Sequence, residues 1–189
     1  MEWCLELGGC PNHNALLVID DATQWDQAKQ VVDLAGKIFR HVSTKLVPTV
    51  DGWIPGSVAL FSSAAQWCQE AGDSFFFLEP DAVMLEPGWL DKIDEAYKIL
   101  KKPFMGAIIK AEDPRHPPYF MEGVSVYPSD AWNRMKGCIT PTESWVTSCA
   151  STVVPEAINT PLIFQIWGQP GMPVRFVPFR TADSAQHDW

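Results

Sequence analysis

At 189 residues with 47% hydrophobic side chains, the chain is long enough to bury one sizeable core and short for two, so a single domain over residues 1–189 is expected. Its 14 basic against 23 acidic residues leave a net charge of −9, and no basic run exceeds Lys101-Lys102. Apart from a small patch around Lys110 and Arg115, this excludes the clustered cationic footprint of a nucleic-acid binder.

Five cysteines, with no CxxC pair and no histidines at finger spacing, read as reduced thiols of a cytosolic protein. Glu2 and Glu6 interrupt the first apolar stretch and no positive segment precedes it, so no secretory signal is expected. The apolar runs are strand-sized, below the roughly 18 residues of a membrane span.

In chain order, Met1 to Leu7 reads as the end of an amphipathic helix stopped by Gly8-Gly9. Ala15-Leu-Leu-Val-Ile19 is a continuous apolar run, the pattern of a strand buried on both faces of a parallel sheet, and Asp20-Asp21 ends it. From Thr23, a candidate N-cap, to Arg40 the apolar residues fall at helical spacing. Val42 to Val50 is a short strand or extended connection, and Ser57 is expected to cap a second helix running to Ala71. Ser74-Phe-Phe-Phe-Leu78 is another buried strand, ended by Glu79-Pro80-Asp81, and Pro87-Gly88-Trp89 opens a third helix over 90–100. Phe104 to Ile109 and Tyr119 to Tyr127 read as strands around the loop Asp113-Pro-Arg-His-Pro-Pro118. The last third is rich in Pro, Trp and Gly and poorly periodic. Strands alternating with helices predict an α/β fold built on a parallel sheet, whose ligands bind beyond the carboxyl ends of the strands. Both acidic pairs fall there.

Glu79 and Asp81 flank a proline that ends ladder donation, and two hard oxygen ligands in that arrangement suit Mn²⁺ or Mg²⁺ carrying a diphosphate. The ordinary alternative is a pair of acids opening a solvated loop. The stretch from Phe75 to Leu90, with Glu79-Pro80-Asp81 and Pro87-Gly-Trp-Leu90, resembles the strand, DxD-type motif and "pGWL" helix of GT-A glycosyltransferases. Leu17-Val-Ile-Asp-Asp-Ala-Thr23 is similar to that family's "vvDDgSt" strand end, and Met121-Glu-Gly-Val-Ser-Val-Tyr127 to its glycine-bearing strand beside the acceptor. The resemblance covers roughly residues 16 to 130. It implies a GT-A-like, Rossmann-like, mostly parallel sheet flanked by helices, with no room for the family's usual first strand unless a further segment precedes Met1.

The resemblance also implies transfer of a sugar from a nucleoside diphosphate sugar donor to an unidentified hydroxyl acceptor. Glu79 and Asp81 would then bind the metal and donor phosphates, Asp20 and Asp21 would face the nucleoside, and His187 would complete the metal shell. An inverting enzyme needs a general base, for which Glu143, Glu122 and Asp130 are the candidates, with Glu143 favoured; a helix-start carboxylate is the ordinary reading of Glu143. His116 sits in a loop able to reach a diphosphate, and Trp53, Trp132 or Trp145 is a candidate sugar platform. Three other readings stand beside this one: a non-catalytic nucleotide-sugar or carbohydrate binding module, a nucleotidyltransferase, for which Gly8-Gly9 lacks a basic phosphate loop, and modification of DNA bases as in some viruses, which the charge disfavours.

Overall fold

The computed structural model describes residues 2–80, 82–111 and 114–163, so Asp81 and His187 lie outside the described residues. Helix α1 (Glu2–Glu6) stops at Gly8 and Gly9, with φ of 92° and 68°, a region glycine enters without steric cost. Strand β1 (Cys10–Asp20), helix α2 (Trp25–Ile38) and strand β2 (Phe39–Val47) follow, and β1 and β2 pair in parallel with Asp20 opposite Val47. The apolar spacing of α2 buries Ala28, Ala35 and Ile38. Its N-cap is Gln24 with no side-chain bond. The expected cap Thr23 lies one residue outside, in a turn where its N–H donates to the Asp20 carbonyl at 3.0 Å.

Helix α3 (Trp53–Ala71) begins earlier than Ser57 because Gly52, at φ 95°, turns the chain and Pro55 occupies the first turn, where no intrahelical N–H bond is needed. The Ser57 hydroxyl instead donates to the Ile54 carbonyl at 3.0 Å. Gly72 closes α3 in the left-handed region. Strand β3 (Phe75–Phe77), helix α4 (Trp89–Leu100), β4 (Phe104–Lys110) and β5 (Tyr119–Tyr127) come next. Among the described residues the aperiodic last third supplies three short helices, α5 (Ala131–Met135), α6 (Trp145–Ser148) and α7 (Ala150–Val153), then a 3₁₀ turn and β6 (Ala157–Asn159).

The architecture is α/β, and among the described residues the strands do not join in the single, mostly parallel sheet expected from the sequence. The strands divide into a parallel pair, β1-β2, and a four-stranded sheet in the order β3-β5-β4-β6. There β5 runs antiparallel to both β3 and β4, and β6 runs parallel to β4. The link from β4 to β5 is too short for the crossover that parallel neighbours require, so the two fold back on one another. Among the described residues β1 has one ladder partner, and its run Leu16 to Ile19 is half-buried instead of sealed on all sides.

Each face of the larger sheet carries its own core. On one side Phe61 of α3 stacks on Trp145 at 4.6 Å and 6°, meets Tyr127 edge-on at 5.0 Å, and packs with Phe104, Met135, Cys149 and Val153. On the other, Met105 and Val126 pack against Trp89 and Ile93 of α4, Ile38 of α2, and Cys4 and Cys10 near the amino end. Phe61, Phe104 and Met105 are fully buried. Burial of such side chains contributes about 1.5–3 kcal/mol each.

Candidate functional site

Strand β3 places Glu79 by register. Phe75 faces Tyr127 and Phe77 faces Ser125 across the β3–β5 ladder; continuing that register past the strand end sets Leu78 against Val124 and Glu79 against Gly123. The absence of a side chain at 123 makes the contact: a Cβ there would collide with Glu79 Oε1 and stand 3.1 Å from the Trp145 ring. A side chain at this position would have to displace the Glu79 carboxylate and press on Trp145, so the glycine lets Glu79 lie close across the backbone of β5.

The neighbouring Glu122 is half-buried, and its Oε1 is buried without a hydrogen-bond partner among the described residues. Burial pushes its carboxyl above the ordinary range, the negative charge of Glu79 pushes it further, and the Gly123 N–H partly opposes them. Mg²⁺ and Mn²⁺ take carboxylate oxygens and commonly use only one or two of them, with water and phosphate completing the shell, so the Glu79 carboxylate is a candidate ligand. Among the described residues no three His, Cys, Asp or Glu side chains gather as a metal group. The expected ligands Asp81 and His187 lie outside those residues.

At the end of β1, Asp20 and Asp21 converge on one residue the sequence did not single out. The Thr49 hydroxyl lies 2.5 Å from Asp20 Oδ1 and 2.6 Å from Asp21 Oδ1, with its single hydrogen donated to one of them at a time. The Thr49 N–H donates to Asp21 Oδ1 at 2.8 Å and the Ala22 N–H to Asp20 Oδ1 at 2.7 Å. The Thr49 hydroxyl, then its N–H, hold the Asp21 carboxyl below the usual range. These bonds staple the carboxyl ends of β1 and β2 together, so the pair has a structural task in addition to any ligand.

The remaining candidates fall around two clefts. The larger, about 860 Å³, lies between the Arg115–Tyr119 loop and the α6–α7 segment, and it brings His116 and Glu143 to one site although they are far apart in sequence. The smaller, about 510 Å³, is lined by Glu79 together with Leu78 and Val124. Strand β5 thus reaches the larger cleft at Tyr119 and the smaller at Val124, with Glu122 and Gly123 between. Asp130 stands apart from both, paired with Arg134 at 2.8 Å.

Trp145 is not a sugar platform. It is 3% exposed, stacked on Phe61, with its Nε1 donating to the Tyr127 hydroxyl at 3.4 Å. Trp132 packs on the same core, whereas Trp53 is 88% exposed. His13, to which the sequence gave no role, lies 2.9 Å from Asp91, and that contact holds the Asp91 carboxyl below its usual range.

Set against protein-family models, curated proteins and solved structures, the chain matches none of them. No described helix is long and apolar enough to cross a membrane.

Proposed function

We propose that the chain is a metal-dependent glycosyltransferase that moves a sugar from a nucleoside diphosphate sugar to a hydroxyl acceptor on a GT-A-like framework. One observation carries the reading: the Glu79 carboxylate, at the carboxyl end of β3, seated on Gly123 beside the half-buried and unsatisfied Glu122. In this reading Glu79, with Asp81 and His187, holds Mn²⁺ or Mg²⁺, which neutralises the charge of the departing diphosphate. Burial and the Glu79 charge raise the Glu122 carboxyl above its ordinary range, and a cation offsetting that charge would lower it again. Asp20 and Asp21, held rigidly by Thr49, face the nucleoside. In an inverting reaction Glu143 takes the proton of the acceptor hydroxyl, a role supported by its position on the wall of the larger cleft.

The test is release of nucleoside diphosphate from a panel of UDP- and GDP-sugars with Mn²⁺. Metal-dependent release by the native chain, abolished in Asp81→Ala, is the expected result. Donor binding without release would instead make the chain a non-catalytic nucleotide-sugar module.

A further inference from the structure

We propose that the larger cleft binds a neutral oligosaccharide, which names the acceptor class of the transferase reading and rests on that reading for its role. The α6–α7 segment has two faces. Trp145, Cys149 and Val153 point into the core. Ser144, Thr147, Ser148 and Ser151, at i, i+3, i+4 and i+7, line the cleft. The cleft wall is thus a column of uncharged hydroxyls.

Each hydroxyl both donates and accepts, as sugar hydroxyls do, so either partner can rotate to match the other. Thr147 donates inward to the Ser144 carbonyl at 3.0 Å, which leaves it an acceptor toward the cleft. Pro117, Pro118 and Tyr119, also in the cleft lining, supply stiff, largely apolar surface suited to the C–H face of a sugar ring. A volume of about 860 Å³ is at the upper end of ordinary small-molecule sites and exceeds what one monosaccharide fills.

The charges decide against polyanions. Arg115 and Glu143 are the formally charged residues of the cleft lining, one of each sign, in a chain of net charge −9. Nucleic acid or a polyuronate would find no cluster of cations there. Many hydroxyls, apolar proline and tyrosine surface and little net charge describe a neutral glycan.

The experiment is a titration of the full-length ¹⁵N-labelled chain with cellotriose, chitotriose, maltotriose and mannotriose, and with trigalacturonate as the anionic comparison. At least one neutral trisaccharide should shift the amides of Tyr119, Ser144, Ser148 and Ser151 saturably, with affinity of about millimolar order. Tyr119→Ala and Ser151→Leu, both in the cleft lining, should each weaken it about tenfold. The proposal is overturned if no neutral trisaccharide binds, if trigalacturonate binds better, or if the shifts centre on Leu78 and Val124 of the other cleft. Glycan binding by a chain that turns over no donor would end the transferase reading and leave this one standing. Donor turnover without glycan binding would end this one alone.

Discussion

Replacing Gly123 by alanine separates the metal account from a purely structural one. A methyl group at this position collides with the Glu79 carboxylate and approaches the Trp145 ring to 3.1 Å and Glu79 Cδ to 3.3 Å. The carboxylate is the end of a flexible side chain and can swing aside cheaply. Trp145 is held by its stack on Phe61 and must yield a few tenths of an ångström. Overpacking of this size costs about 1–2 kcal/mol, or a fall in Tm of about 2–8 °C for a chain of this length. The larger effect falls on Glu79, which can no longer lie over β5 beside Glu122, so Mn²⁺ affinity should drop about 10–100-fold. Calorimetric melting and Mn²⁺ titration measure the two effects separately, with Gly137→Ala, where a Cβ meets nothing within 4 Å, as the control. A variant that loses stability yet binds Mn²⁺ as tightly as the native chain would refute the assignment of Glu79.

Glu122→Gln tests the strained carboxyl. Because its folded-state pKa is raised, Glu122 favours folding when protonated, and that contribution is lost as pH rises from the ordinary glutamate range through the raised value. The amide variant should therefore melt higher than the native chain at pH 7 and level with it at pH 4; equal melting at both would show that the carboxylate is not penalised. Phe61→Ala removes the ring on which Trp145 and Tyr127 pack and should cost about 3–5 kcal/mol by denaturant unfolding. Burial pushes the Cys149 thiol up to about 12 and those of Cys10 and Cys68 to about 11, so iodoacetamide at pH 8 should leave all three unmodified in the folded chain, as peptide mass mapping would show.

Local chemistry was legible in the sequence, and long-range pairing was not. Strand β5 was expected and found over Tyr119–Tyr127, because its residues alternate and prolines precede it. Glycines and prolines likewise marked the ends of α1, α3 and α4. The start of α3 was misjudged because Gly52 and Pro55 outweighed a serine cap. The division into two sheets depends on which distant strands pair, and no local pattern records that. The same reason hid the seat of Glu79, which requires knowing that position 79 meets position 123 across a ladder, and hid Thr49, a plain threonine until β1 and β2 come together. Trp145 and Trp53 are the same residue type, and only tertiary packing makes one a core stack and the other a surface ring. The larger cleft is built partly from α6 and α7, whose few turns carry too little periodicity to be seen in advance.

The most direct test of a metal centre at Glu79 is a Mn²⁺ titration of the ¹⁵N-labelled chain, reading which amide signals are broadened by the paramagnetic ion. The account expects broadening at low Mn²⁺ to centre on Leu78, Glu79, Glu122 and Gly123 and to vanish in Glu79→Ala. Broadening centred on Asp20 and Asp21, or spread over the acidic surface without a focus, would contradict it.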